Sequence, residues 1–250
     1  MATATSRPRL RNALKKLRAV EPRLAPGYGA TELAQEMLDF LAMADGMKPA
    51  CLIGRGFDDP EWIAGAVAVA SGMKLRVIEG PFWDAAGAYD GLPGWYAEFV
   101  QADLAPFRAW YVTRTAAVAA RIEAACASGR PTAAEEAALL GYPACCVAAH
   151  HGRNRAFHEA TLSILARRAA GDEAEMARML REGEPLIPET DAEKAAFLEG
   201  MRVTPCPCAS VNMCEDCRTD SGSPAARLSA RYAAFAREID PVLAQAVGAG

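Results

Sequence analysis

Four cysteines lie within twelve residues of this chain, at positions 206, 208, 214 and 217, in a segment with neither helical nor strand periodicity. A short segment with prolines at 205 and 207 offers little apolar core in which to bury four thiols. The spacing C-x-C-x5-C-x2-C lets each pair supply two corners of a tetrahedral metal site. We therefore predict a metal-binding loop at 202–222. An iron–sulfur cluster is slightly favoured over zinc, because the chain offers six clustered thiols and has prolines beside cysteines, which is common in cluster loops.

A second cysteine pair, Cys145 and Cys146, lies where one predicted helix ends at Gly141 and the next begins at Pro143. Both thiols then fall in the first turn of a helix, where free backbone N–H groups and the helix dipole lower a thiol pKa. Six clustered cysteines exceed the four ligands of one ordinary metal site, so the ligand set stays open at this point. The candidate metal ligands are Cys145, Cys146, Cys206, Cys208, Cys214 and Cys217.

All three histidines of the chain, His150, His151 and His158, lie on the predicted helix that follows Cys145 and Cys146. Cys146 and His150 are four residues apart and share one helix face. If the protein is an enzyme, His150 and His158 are the candidate acid–base residues. The donor-rich stretch with His151, Arg153 and Arg155 is the candidate binding site for a small anionic substrate. The alternative interpretation is a solvated polar face without a function.

The rest of the sequence predicts a mainly α fold with a small α/β portion. The chain has 55 alanines, which favour helices. A strand–helix–strand (βαβ) unit is expected at 47–80, and a long helix, broken or kinked at Pro106, at 93–129. Capping boxes begin helices at Thr132 and Thr190. We predict a basic N-terminal helix or extension at 1–30, then a single helical domain at 31–250 whose cysteine-rich loop precedes a last helix at 223–247.

Composition excludes several classes of protein. The chain is 52% hydrophobic, too apolar for a disordered chain, yet no uninterrupted apolar run suits a membrane span. A formal net charge of −4 does not favour nucleic-acid binding. The first residues lack the apolar core of a secretory signal; a basic helix is preferred there over an organellar transit peptide. We therefore expect a cytoplasmic protein, in which clustered cysteines indicate metal or thiol chemistry rather than disulfides.

The segment Leu-Gly-Tyr-Pro-Ala-Cys-Cys-Val at 140–147 resembles the LGYPxCCV signature of a poorly characterised domain-of-unknown-function family of archaeal and bacterial proteins. The order of a small α/β region, this signature, a Pro-Cys segment and a terminal helix is similar too, over about 170 residues. The chain has four cysteines where the resemblance implies about two in the Pro-Cys segment. The resemblance implies metal or cluster chemistry and no particular substrate.

These observations lead to three hypotheses. The first is a cytosolic metal-binding protein with an iron–sulfur or zinc site, acting as a metal-dependent enzyme on a small anionic substrate. The second is a zinc-stabilised, non-catalytic protein-interaction module. The third is a thiol redox protein that uses Cys145 and Cys146, which is the least favoured because vicinal cysteines form strained disulfides.

Overall fold

The computed structural model describes residues 6–22, 29–54, 59–83, 91–104 and 107–249. Within these ranges the chain is mainly helical, with one three-stranded sheet and one two-stranded hairpin, which confirms the predicted fold class. The helices are α1 (Arg7–Ala19), α2 (Ala30–Asp45), α3 (Pro60–Gly72), α4 (Gly94–Leu104), α5 (Ala116–Ala127), α6 (Ala133–Leu140), α7 (Ala144–Arg168), α8 (Glu173–Arg181), α9 (Asp191–Gly200), α10 (Glu215–Thr219), α11 (Pro224–Ile239) and α12 (Pro241–Ala246). The strands are β1 (Ala50–Ile53), β2 (Arg76–Pro81), β3 (Arg108–Thr113), β4 (Pro205–Cys206) and β5 (Ala209–Asn212).

The predicted strand–helix–strand unit is present as β1, α3 and β2. Its two strands do not pair with each other, because β3 lies between them and is antiparallel to both. Val112 of β3 faces Cys51 of β1 on one side and Val77 of β2 on the other. The small α/β portion is therefore a sheet with antiparallel pairing rather than a simple βαβ unit.

The prediction of one long helix over 93–129 is wrong; Pro106, where that helix is expected to break or kink, lies outside the described residues. The chain forms α4, then the strand β3, then α5. Residues 110–113, Trp-Tyr-Val-Thr, are aromatic or β-branched and prefer a pleated, half-buried surface. Pairing on both edges satisfies the backbone of β3, and Tyr111 and Val112 are fully buried. Tertiary pairing thus outweighs the helix preference of the alanine-rich flanks.

The main core joins the two ends of the described chain. Leu10, Leu14 and Leu17 of α1 are buried in the same cluster as α2, α3, α11 and α12. The basic side chains of α1 lie at the surface, where Arg18 forms an ion pair with Asp240.

Across the described ranges, no helix combines the length and apolar character needed to cross a bilayer.

The segment predicted as a loop at 202–222 contains the β4–β5 hairpin and the short helix α10. The predicted last helix divides at Asp240, whose side chain caps α12 by accepting a hydrogen bond from the Leu243 N–H. Both predicted capping boxes are present, at Thr132 before α6 and Thr190 before α9.

Helices α7 and α9 are closely packed. A Cβ atom built at Gly200 would lie 2.6 Å from the Phe157 Cβ atom, so only glycine fits at this contact. The end of α9, and therefore the start of the cysteine-rich segment, is thereby held against the middle of α7.

Candidate metal centre

Two helix starts carry the cysteines that meet in the structure. Cys145 and Cys146 lie in the first turn of α7, after Pro143, as the sequence predicts. Cys214 precedes the first residue of α10, and Cys217 lies in its first turn. The thiols of each pair therefore project from the beginning of a helix, and the two helix starts face each other.

The four sulfur atoms form one compact group. The Sγ atoms of Cys145, Cys146, Cys214 and Cys217 all lie within 4.8 Å of one another. The Cys145 and Cys217 Sγ atoms are 3.5 Å apart, and those of Cys146 and Cys214 are 3.9 Å apart. The backbone N–H of Cys214 donates a hydrogen bond to the Cys146 Sγ atom at 3.5 Å. Four thiols at these separations could hold a metal ion.

The group is covered on one side only. The side chains of Cys146, Cys214 and Cys217 are buried and belong to the main core, whereas Cys145 is exposed. A metal ion at this position would be enclosed by the core and would reach solvent at the Cys145 sulfur.

Burial and mutual contact control the ionisation of these thiols. Burial, followed by hydrogen bonds with the Cys217 and Cys214 thiols, raises the pKa of Cys145 to about 11. Burial also raises the pKa of Cys146 well above its ordinary value. The sequence predicts lowered pKa values for both thiols from their place at a helix start. That prediction is wrong, because burial and neighbouring thiols outweigh the helix N-terminus.

The pKa of Cys217 shifts in the opposite direction. Burial alone would raise the pKa of Cys217, but the backbone N–H of Ala225 and the neighbouring thiols stabilise its thiolate, so the pKa is lowered. A cation held by the four sulfur atoms would bind them as thiolates, because metal binding displaces protons from cysteine ligands.

A buried ion pair fixes the chain just before Cys145. The Lys48 Nζ atom lies 3.0 Å from the Asp39 Oδ2 atom, and both side chains are almost fully buried. The Tyr142 hydroxyl donates a hydrogen bond of 2.5 Å to the same oxygen, and the Lys48 ammonium lies 4.2 Å from the Tyr142 ring centroid. These contacts attach the start of α7 to the end of α2.

Gly141 allows this close approach. Its φ of +72° belongs to the left-handed region that favours glycine, and it ends α6. A Cβ atom at this position would lie 3.0 Å from the Lys48 Cβ atom and 3.1 Å from the Pro49 Cδ atom. The Gly-Tyr-Pro part of the signature therefore has a structural role, which is to position Cys145 and Cys146.

Cys206 and Cys208 lie outside the four-cysteine group. The Cys206 thiol donates a hydrogen bond to the Ala225 carbonyl oxygen at 3.6 Å, and the Cys208 thiol donates one to the Val247 carbonyl oxygen at 3.4 Å. Burial raises the pKa of Cys206 to about 12, with smaller contributions from neighbouring Cys208 and Cys217. Both thiols are buried and bonded to backbone, as structural cysteines are.

The candidate acid–base residue His158 lies on another part of α7. It is twelve residues from Cys146, which corresponds to about 18 Å along the helix axis. Its Nδ1 atom is 2.9 Å from the Tyr96 hydroxyl oxygen of α4, and burial lowers its pKa. Among the described residues, no histidine joins the four-cysteine group.

His150 and His151 lie closer to the cysteines along α7 but have protein partners. The His150 Nε2 atom is 3.4 Å from the Asn154 Nδ2 atom. The His151 Nε2 atom is 2.7 Å from the Oε2 atom of Glu136, which is buried in α6. The structure therefore places His151 in the contact between α6 and α7.

The two arginines proposed for substrate binding differ in environment. Arg153 is buried, with 8% of its surface exposed. Arg155 is exposed and forms an ion pair with Glu159 one helical turn later. Only Arg153 lines a cavity found beside the four-cysteine group.

Sequence reasoning missed Asp39 and Lys48, which support the site from a distant part of the chain. One signal was present: Asp39 lies between apolar residues in α2, where a charged residue is normally absent unless it is paired. The partner of that charge could not be read from spacing.

Similarity to known proteins adds no further information, because no protein-family model, curated protein or solved structure matches the chain. The resemblance to the LGYPxCCV family stays a prediction.

Proposed function

We propose that this is a zinc protein in which Cys145, Cys146, Cys214 and Cys217 bind a single structural zinc ion. The observation that carries the proposal is the mutual approach of all four sulfur atoms to within 4.8 Å. A zinc–sulfur bond of about 2.3 Å in tetrahedral geometry places sulfur atoms about 3.8 Å apart. The observed pair distances of 3.5 Å and 3.9 Å lie on either side of this value.

The same distances favour one ion over an iron–sulfur cluster. In a cluster the four cysteine ligands are divided among two or more iron atoms, so sulfurs bound to different irons stand further apart than the edge of a single tetrahedron. The sequence favours a cluster slightly because six thiols are available and prolines stand beside cysteines. Only four thiols converge, and the cysteines beside those prolines, Cys206 and Cys208, donate to backbone carbonyls, so neither reason applies.

Four thiolates also favour a structural role over a catalytic one. Structural zinc sites are closed by four protein ligands, whereas catalytic sites keep one position for water or substrate. The four cysteines come from two helix starts that are joined by a long stretch of chain, and three of them belong to the main core. Zinc would therefore hold α7 and α10 together. This corresponds to the zinc-stabilised, non-catalytic alternative, with no partner assigned.

The test is metal analysis of protein purified without oxygen. We expect one zinc ion per chain, no acid-labile sulfide, and loss of zinc in the Cys146→Ser and Cys217→Ser variants. Cys206→Ser and Cys208→Ser are matched controls, because they remove equally buried thiols outside the group and should keep the zinc. Stoichiometric iron with sulfide would overturn the zinc assignment, and metal-free folded protein would overturn the site itself.

A further inference from the structure

A cavity of about 260 Å³ opens next to the four-cysteine group. It lies between the middle of α7, the end of α9 and the chain around Cys214. Arg153 and Arg202 supply its positive charges and Glu199 and Glu215 its negative charges. The remaining lining residues are Ala149, Gly152, Ala156, Thr204 and Met213.

Arg153 is the unusual side chain of this cavity. It is more than nine-tenths buried, and its Nη2 atom has no hydrogen-bond acceptor among the described residues. No carboxylate in the described part of the chain forms an ion pair with it. A guanidinium group stays charged in proteins, and a buried charge without a partner is costly. A ligand acceptor would satisfy this group.

The other charges of the cavity largely compensate one another. Arg202 is 3.4 Å from a Glu199 carboxylate oxygen and 3.7 Å from one of Glu215. The two carboxylate oxygens of Glu215 also accept hydrogen bonds from the Arg218 Nε and Nη2 atoms. The charges of these two arginines and two glutamates balance, which leaves Arg153 as the uncompensated positive charge, so the cavity is matched to a ligand group with a single negative charge.

Gly152 keeps the cavity open. It lies inside α7, where glycine weakens a helix relative to alanine, yet a Cβ atom at this position would meet nothing within 4 Å. No close packing therefore requires glycine here. The missing side chain leaves space beside Arg153.

We propose that this cavity binds the carboxylate group of a small molecule through Arg153. The guanidinium fork matches the two oxygens of a carboxylate. A phosphate dianion would carry a second negative charge towards Glu199 and Glu215, which disfavours it. The sequence predicts that Arg153 binds a small anionic substrate, and this proposal names the ligand group as a carboxylate. The proposal does not depend on which metal the cysteines bind.

The experiment titrates the full-length, metal-loaded protein with sodium acetate at constant ionic strength and follows backbone amide signals by NMR. We expect saturable shifts centred on residues 149–156 and 199–204, and weaker shifts with inorganic phosphate or chloride. Arg153→Gln should weaken acetate binding by at least about tenfold, because a charge-assisted hydrogen bond is lost. Arg155→Gln is the matched control on the same helix and should bind acetate as the parent protein does.

Gly152→Leu keeps the test decisive if Arg153→Gln fails to fold. Leucine favours the helix and fills the cavity, so this variant should melt at the same or a higher temperature and lose acetate binding. Three results would each overturn the proposal: no saturable shift in the parent protein, unchanged binding in Gly152→Leu, or tighter binding of phosphate than of acetate. Metal content measured on the same samples separates these failures from a failure of the zinc site.

Discussion

The cysteine-rich segment contains two pairs that look equivalent in sequence and differ in structure. Cys214 and Cys217 meet Cys145 and Cys146, whereas Cys206 and Cys208 donate hydrogen bonds to backbone carbonyls elsewhere in the core. All four are buried. A high density of cysteines in the sequence therefore does not show which thiols converge. The direction in which the local backbone presents each thiol decides this.

The local backbone explains the difference between the pairs. Cys214 and Cys217 begin a short helix, so both thiols emerge on the side that faces the start of α7. Cys206 and Cys208 lie at a tight hairpin, and Cys208 has a φ of +63° in the left-handed region. This turn sends one thiol towards the start of α11 and the other towards the end of α12.

The largest expected effect comes from removing a ligand. Cys146→Ser should abolish metal binding and lower the free energy of unfolding by several kcal/mol, because structural zinc contributes about 10–16 kcal/mol in small zinc-binding peptides. Urea denaturation with and without a chelator measures this change. The parent protein should be destabilised by the chelator and the variant should not. If the chelator destabilises both proteins equally, Cys146 is not needed for metal binding, and the proposed difference between the two cysteine pairs is wrong.

A second effect concerns the support of the Cys145–Cys146 pair. Tyr142→Phe removes the hydroxyl that donates to the Asp39 carboxylate, so we expect a loss of about 1.5–3 kcal/mol in the free energy of unfolding. Metal stoichiometry should stay at one, because all four thiols remain. A loss below about 0.5 kcal/mol, typical of surface substitutions, would show that this hydroxyl does not anchor α7.

The cysteines outside the group should give smaller effects. Cys206→Ala removes a buried sulfur and should cost about 1 kcal/mol of unfolding free energy, within the range for small reductions of core side chains. Cys208→Gly should cost less, because relief of the left-handed backbone, about 1–2 kcal/mol, offsets the lost packing. Urea denaturation together with zinc analysis checks both. Loss of zinc from either variant would place that cysteine among the ligands.

Acid provides the mildest test, since it acts on the contact between α7, which carries Cys145 and Cys146, and α9, which precedes the cysteine-rich segment. Glu193 of α9 accepts a hydrogen bond from Arg167 of α7, and this contact, with the capping hydrogen bonds, lowers its pKa to about 2. A carboxylate with a lowered pKa stabilises the fold above its unfolded pKa of about 4.3 and loses that contribution as the pH falls to about 2. Glu193→Gln should therefore reduce stability at pH 7.

The difference between the parent protein and Glu193→Gln should disappear progressively between about pH 4.3 and pH 2. Thermal unfolding of both proteins across this range measures it. A difference that is independent of pH would show that the carboxylate charge does not link α7 and α9.

Much of the fold could be predicted from local sequence signals. The capping residues Thr132 and Thr190 mark helix starts, and the strands around α3 are short apolar runs between turn residues. The strand β3 is predicted as helix from the sequence, because its four strand-favouring residues at 110–113 are followed by an alanine-rich segment that favours a helix. Its identity depends on the two strands that pair with it, which are distant along the chain.

The candidate site was predictable to a similar extent. The sequence predicts the helix start at Pro143, which carries Cys145 and Cys146. It does not predict the short helix α10 after Cys214, because the segment 202–222 has no helical periodicity. The choice of Cys214 over Cys206 depends on the packing of the hairpin against α11 and α12, which no spacing rule contains. The support from Asp39 and Lys48 likewise requires knowledge of which elements touch.

The distance along the chain between the two ligand pairs also has a consequence for folding. Cys146 and Cys214 are separated by 68 positions, so a metal ion bound to both closes a loop that contains most of α7 together with α8 and α9. Contacts between residues this far apart form slowly, because the intervening chain must first fold back. Capture of the ion should therefore complete folding rather than start it, and the final closure rate should depend on zinc concentration.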